Sequence, residues 1–367
     1  MNWYKKTGLD PKREKNKEIW IRENEEFVVD ILLGKKTNLL ALKKDIVSNL
    51  AEKVSYYQES RKDIYLPENL ELVETCPVCG ESSHNTEQEV NIFGADYVSC
   101  NNCSHVYVKY RPTKTAIDGF YLNNVTYAAT YTDKSSAESR LESIAVPWRD
   151  WAISVFEKVN GRKPKSILDV GSGAGHFVEA CRRAGLKADG IELSESSRKF
   201  AKDIWDIELD GSDFTKVYEN YLGYDMVTFW GLLEHTPNPA SILGKASEIV
   251  SHDNDGLVIS KVPRWNSLSS AIQTLTPENV IRHLDPMGHI MCFTDSSIAE
   301  LYYKCGLKPT TAWYYGMDVY ETMMQIGHQI KDYKLLTETG EIQMNLQQYV
   351  DEMNFSDGIT LVGKPRR

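Results

Sequence analysis

With 367 residues, 41% hydrophobic and 26% charged, the chain has the composition of an ordinary globular protein long enough for two or three units. A net charge of −10 argues against a nucleic-acid substrate, and no run of about 18 apolar residues offers a membrane span. The opening MNWYKKTGLDPKREKNKE lacks the apolar core of a signal peptide, so the expected location is cytoplasmic, where cysteine pairs suggest metal binding rather than disulfides.

Residues 1–73 read as a charged helical extension. Ile19, Phe27, Val28, Ile31 and Leu32 make an amphipathic stretch, and Leu39, Leu42, Ile46, Leu50 and Val54 recur at helical intervals. The Lys and Glu residues between them form either a solvated face or the outside of a helix pair used for self-association. Residues 74–112 carry two CxxC pairs, Cys76 with Cys79 and Cys100 with Cys103. Two such knuckles bring four thiolates to a tetrahedral Zn²⁺, and Pro77 and Gly80 suit the tight turn of the first. Four thiolates close the coordination sphere, so this metal is expected to be structural. His84 and His105 are surplus ligands.

Residues 113–160 form a tyrosine-rich linker and a helix. Tyr121, Tyr127 and Tyr131 belong either to a packed connection or to an aromatic lid, since aromatic faces attract cations. The helix is predicted over Leu141–Val159, with Trp148 and Trp151 among its apolar residues.

Residues 161–367 are organised around Lys165–Glu192, KSILDVGSGAGHFVEACRRAGLKADGIE. A short apolar strand runs into Gly171, Gly173 and Gly175, and Phe177, Val178, Cys181 and Ala184 then recur at helical spacing. The turn lets a ligand approach the backbone, and the helix start offers amides. A second strand ends at Glu192, at the carboxyl edge where an open α/β sheet binds its ligand and where a carboxylate can accept both hydroxyls of a ribose. A dinucleotide fold wants a glycine where His176 stands, and Asp169 before the turn would repel phosphate. A ligand with a ribose and a cationic amino-acid end fits better.

This stretch resembles motif I of the class I S-adenosylmethionine-dependent methyltransferases, with LDVGSGAG as the glycine motif and GIE as the ribose motif. The expected fold is α/β, a Rossmann-like seven-stranded sheet with an N-terminal helical region and a small zinc-ribbon module. Further elements follow in order: a helix from Ser194, a third strand at Ile207–Leu209, a fourth at Tyr224–Trp230 and a fifth at Gly256–Val262. A turn-rich insertion occupies residues 263–293, and Thr294 caps a helix to Cys305. Strands at Leu307–Tyr315 and Gly358–Val362 enclose a helical insertion, residues 318–354, suited to substrate contacts or a homodimer interface. The LEH run after strand four matches the family's motif there. The resemblance implies cofactor contacts from Asp169, Gly171, Gly173, Gly175, Glu192, Leu193, Asp213, Phe214 and Trp230, with Asp213 on the adenine amine.

From about residue 74 onward the chain also resembles bacterial methyltransferases with an N-terminal zinc ribbon, through CPVCG…CNNCSHVYV.YRP, FY and DGITLVGKP. That group acts on surface polysaccharides and sugars. The implied acceptor is a sugar hydroxyl of a nucleotide sugar or glycan, with a sugar C-methyltransferase or an RNA methyltransferase as alternatives. Histidine is the side chain best matched to proton transfer at neutral pH. His289 and His283 rank as bases and His235 as a positioning residue, with Glu234 and Asp285 available to orient them.

Overall fold

Strand, glycine turn and helix at Lys165–Glu192 sit inside a sheet of nine strands among the described residues. The computed structural model describes residues 3–6, 16–35, 50–117, 134–252 and 255–366. Strands β1 (Trp3–Lys5), β2 (Lys17–Arg22) and β3 (Glu25–Leu33) come first, then helix α1 (Leu50–Ile64). Five short strands follow: β4 (Leu70–Leu72), β5 (Thr86–Ile92), β6 (Ala95–Cys100), β7 (Val106–Val108) and β8 (Tyr110–Pro112). A rod of α2 (Ala137–Arg140), a π-helical turn (Leu141–Ala145) and α3 (Val146–Asn160) leads into the central unit. That unit begins with β9 (Ser166–Val170), α4 (His176–Arg183), β10 (Lys187–Ile191), α5 (Glu195–Trp205) and α6 (Phe214–Val217). It continues with β11 (Met226–Trp230), α7 (Pro239–Ser251) and β12 (Leu257–Pro263). Then come α8 (Leu268–Leu275), β13 (Met291–Cys292), α9 (Asp295–Lys304) and β14 (Leu307–Tyr314). The chain closes with α10 (Asp318–Ile330), α11 (Lys334–Thr337), α12 (Gly340–Glu352) and β15 (Gly358–Pro365).

The sheet order is β1-β2-β3-β14-β15-β12-β11-β9-β10. Strands β10, β9, β11 and β12 are parallel, and β15 runs antiparallel to both β12 and β14. Alternate side chains enter two cores, because helices cover both faces. Leu168, Val170, Val227, Phe229 and Val258 pack toward Leu243, Ala246 and Ile249 of α7. Ile167, Met226, Leu257 and Ile259 pack toward Val155 and Phe156 of α3 and Phe177 and Cys181 of α4. Ser194 and Thr294 are N-caps, each accepting a bond from the amide three residues on.

Three expectations are corrected. The N-terminal amphipathic stretch is a hairpin, not a helix: β2 pairs antiparallel with β3, and β3 adds in parallel to β14, so this segment extends the sheet. A pair of N-terminal helices therefore cannot be the self-association surface there. The helix expected from Leu39 falls outside the described residues until Leu50, where α1 begins. Strand three is reduced to a single bridge between Ile191 and Asp210, while Ile207 and Leu209 spend their side chains on a small core with Val178 and Ala201. Tyr121, Tyr127 and Tyr131 lie outside the described residues.

The insertion 263–293 is tied to the cysteine module. Its strand β13 pairs antiparallel with β7, completing the four-stranded sheet β13-β7-β6-β5. Among the described residues, no helix is long and apolar enough to cross a membrane.

Candidate active site

The glycine turn and the ends of β9, β10 and β11 meet at the carboxyl edge of the sheet. Gly171, Gly173 and Gly175 all have positive φ, a backbone that L side chains rarely adopt. A Cβ at Gly173 would meet nothing within 4 Å, so the turn is open on that side. Glu192 follows β10 and bridges two loops: its carboxylate accepts from the Gly173 amide at 2.8 Å and the Ser194 amide at 2.7 Å. Gly190 makes this close approach possible, since a Cβ there would come within 2.9 Å of Leu209, Ser172 and Val178. Leu193, 69% exposed, stands beside it with its face uncovered. Asp169 is buried at the end of β9, takes a 2.7 Å bond from the Thr228 hydroxyl, and is pushed up to about 7 by burial. Asp213 caps α6, accepting from the Thr215 amide at 3.0 Å, and Phe214 turns its ring inward against Phe229. Trp230, the last residue of β11, stacks on Trp148 at 4.4 Å between centroids and 6° between planes.

Beyond β11 the chain forms a single 3₁₀ turn, Leu233–His235. This turn sets Glu234 and His235 against His289 from the insertion. The Glu234 Oε1 lies 3.8 Å from His235 Nε2 and 3.9 Å from His289 Nε2. Each ring is fixed by its other nitrogen: His235 Nδ1 lies 2.5 Å from the Gly288 carbonyl and His289 Nδ1 2.7 Å from the His283 carbonyl. A carbonyl only accepts, so both rings carry a proton on Nδ1, and in the neutral imidazole Nε2 then presents its lone pair. Burial holds the His289 imidazole well below its ordinary value, and the same cause raises Glu234. His283 is not part of this group. Its ring is fully buried, its Nε2 lies 2.9 Å from the Ser270 hydroxyl, and burial lowers it to about 4.

The loop bearing His289 is anchored from far away in the sequence. Tyr97 in β6 donates its hydroxyl to the His289 carbonyl at 2.8 Å and the Leu284 carbonyl at 3.2 Å. Arg61 of α1 grips Asp285 with two 2.8 Å bonds, so this aspartate orients the loop rather than a histidine. The Val108 amide holds the Ile290 carbonyl at 3.0 Å.

Residues 144–312 match a family model described as a methyltransferase domain. A ubiquinone biosynthesis O-methyltransferase of Hydrogenovibrio crunogenus is 34% identical over 176 residues, 46% of this chain and 69% of that protein. The chain belongs to the class I S-adenosylmethionine-dependent methyltransferases. A Bordetella avium protein of the same name is 28% identical over 50% of this chain and 77% of its own length. Among solved structures, a SAM-dependent methyltransferase from Archaeoglobus fulgidus is 15% identical, with a TM-score of 0.39, over 62% of this chain and 97% of that one.

The methyltransferase's cysteine module lies outside the matched residues. Cys76 and Cys103 sulfurs lie 3.7 Å apart, Cys79 and Cys100 sulfurs 3.5 Å, and all four fall within 4.8 Å of one another. Gly80 and Ser104 adopt positive φ one residue past each knuckle, and their amides bond back to the carbonyls of Cys76 and Cys100. Hydrogen bonds from the neighbouring thiols lower Cys79 and Cys100 and leave the other two raised. His105 is fully buried against Phe293 and points Nδ1 at Ser297, away from any ligand role.

Sequence reasoning missed several participants. Trp148, Tyr97 and Arg61 are separated from the rest of the site by tens of residues or more, and no local pattern marks them. Lys261 was a further signal: a lysine inside the otherwise apolar strand LVISKVP, pushed down by burial and 5.3 Å from the Tyr315 ring centroid.

Proposed function

We propose that this methyltransferase moves the methyl group of S-adenosylmethionine to a hydroxyl of a small acceptor, an O-methylation at the carboxyl edge of β11 and β12. The observation that carries this reading is the group Glu234, His235 and His289, with two lone-pair nitrogens facing one carboxylate next to the cofactor end of the sheet. When bound, S-adenosylmethionine supplies an electrophilic methyl on a sulfonium. Glu192 is the ribose ligand, the turn at Gly171, Gly173 and Gly175 leaves space for the amino-acid end, and Asp169 stands behind the turn as the carboxyl whose ionised form favours a cationic ligand. Leu193, Asp213 and Phe214 border the base, and Trp230 on Trp148 forms an apolar wall. Holding donor and acceptor in line is worth about 7–11 kcal/mol in reactions of this type. His289 and His235 take the acceptor side, and His283 stands behind them, fixing His289 through its carbonyl.

The names of the curated relatives favour an aromatic or similarly compact hydroxyl acceptor over the sugar or glycan that the cysteine-module resemblance suggests. We further propose that Cys76, Cys79, Cys100 and Cys103 hold one structural Zn²⁺. The helical insertion exposes Ile330, Ile342, Leu346, Tyr349 and Met353, with Phe355 just past it, and we propose self-association through these residues, read by sedimentation velocity of the wild type against Leu346→Glu. The deciding test of the activity is transfer of labelled methyl to a panel of catechols, phenols, nucleotide sugars and glycans, with the product's methyl located. A hydroxyl-methylated product is expected, with His289→Ala slowing turnover about 10²–10⁴-fold. Methylation at carbon or nitrogen alone would refute it.

A further inference from the structure

The geometry points to a divalent metal site formed by Glu234, His235 and His289, in which a first-row ion holds the acceptor hydroxyl for methyl transfer. Each donor atom is already aimed. Both Nε2 lone pairs face Glu234 Oε1, at 3.8 and 3.9 Å, and the three ligand atoms fall within 4.8 Å of one another. Donors about 2.1 Å from one ion and 90–120° apart stand about 3.0–3.6 Å from each other, so each Glu–His pair closes by about 0.2–0.9 Å and the two Nε2 atoms by at most about 1.8 Å when the site forms. Carbonyls of Gly288 and His283 lock the two tautomers, the outer-shell device that orients metal-binding imidazoles.

Glu234 supplies the independent observation. It is 3% exposed, and among the described residues its Oε2 finds no partner beyond its own backbone amide. A carboxylate so placed calls for a proton or a cation. Of the cations nearby among the described residues, Arg282 is paired with Glu321 and Asp357, and Lys261, over the Tyr315 ring, acts on Glu234 through its charge without a hydrogen bond to Oε2. Two imidazoles and one carboxylate suit Mn²⁺, Fe²⁺ or Zn²⁺ and leave open positions on the ion, unlike the closed set of four cysteines.

The role in catalysis rests on the O-methyltransferase reading; the binding does not. The acceptor oxygen coordinates the ion, which lowers its pKa, and its proton leaves to solvent water. The oxygen then forms the O–CH₃ bond as the S–CH₃ bond breaks, and the sulfur keeps that electron pair as a neutral thioether.

The test titrates the full-length protein with MnCl₂, followed by the loss of the free Mn²⁺ electron paramagnetic resonance signal. Mn²⁺ avoids thiolates, so the cysteine module does not compete. One ion per chain is expected, bound at least tenfold more weakly by Glu234→Gln and by His289→Ala, both still binding S-adenosylhomocysteine as wild type does. Unchanged Mn²⁺ affinity in the two variants, or no binding up to millimolar Mn²⁺, overturns the site. Methyl transfer that persists in chelator with no Mn²⁺ stimulation overturns the catalytic role and leaves the histidines acting directly. Mn²⁺ binding with no methyl transfer to any hydroxyl supports the site and removes the O-methylation reading instead.

Discussion

Glu192→Ala is the substitution whose effect follows most directly from geometry. The carboxylate holds the amides of Gly173 and Ser194, so it fixes the glycine turn and the start of α5 at once. Hydrogen bonds to a charged group are worth about 1.5–3 kcal/mol each. Glu192 is partly exposed, which favours the lower end for each bond. In the proposed cofactor site, the same carboxylate also serves the ribose of S-adenosylmethionine. Removing it should cost about 3–4 kcal/mol of cofactor affinity, or roughly 150–1000-fold in Kd. Glu192→Gln keeps the shape but must turn an NH₂ toward one of two N–H donors, for about 1.5–3 kcal/mol and roughly 10–150-fold. Isothermal titration with S-adenosylhomocysteine reads both, with circular dichroism confirming the fold. Affinities within threefold of wild type in both variants would show that the GIE carboxylate is not a cofactor ligand.

The cysteine module should contain about one Zn per chain by elemental analysis, and chelation or Cys100→Ser should lower the melting temperature; a metal-free protein with unchanged melting would refute the assignment. Tyr97→Phe removes the hydroxyl that holds the carbonyls of Leu284 and His289, costing about 1–3 kcal/mol of stability. Its kcat should fall several-fold while S-adenosylhomocysteine affinity stays put, and equal losses in both would contradict a role confined to the acceptor loop. Asp169 gives a pH dependence. Its folded value near 7 lies above the unfolded carboxylate range, so its contribution to ligand-free stability is present below about pH 4 and is lost as pH rises to about 7. A cationic cofactor prefers the ionised form, so S-adenosylmethionine affinity should rise about tenfold from pH 6 to pH 8, and Asp169→Asn should flatten that rise.

The cofactor half was legible because it is local. Strand, turn, helix and second strand lie within Lys165–Glu192, and alternation into two cores follows from a sheet covered on both faces. The N-terminal hairpin was not. Phe27, Val28, Ile31 and Leu32 imitate a helical stripe only because Val28 and Leu32 are exposed, at 62% and 41%. The true burial alternates, with Val29 and Ile31 inward. Its turn also lacks a glycine signal, since Glu23 itself adopts φ of 54°. Strand three looked legible and was not a strand: Ile207 and Leu209 are apolar because they serve the core beneath α5, which burial alone demands whether or not the backbone pairs.

The acceptor half was illegible for a different reason. Its ligands come from the turn after β11 and from a loop more than fifty residues later, and that loop's position is set elsewhere again. Arg61 fixes Asp285 from α1, Tyr97 fixes His289 from β6, and β7 pairs with β13 immediately past His289. Each contact is a single hydrogen bond, ion pair or two-residue strand, too small to leave a periodic mark on the sequence. Together they give the cysteine module a purpose that four metal ligands alone do not state. The folding energy of the proposed Zn²⁺ site would stiffen β6 and β7, and through them the one loop that sets the distance between His289 and Glu234. A site needing its donors within a few tenths of an ångström gains from such a stiff neighbour. The glycine turn needs none, because its geometry is written into three alternating glycine positions, 171, 173 and 175.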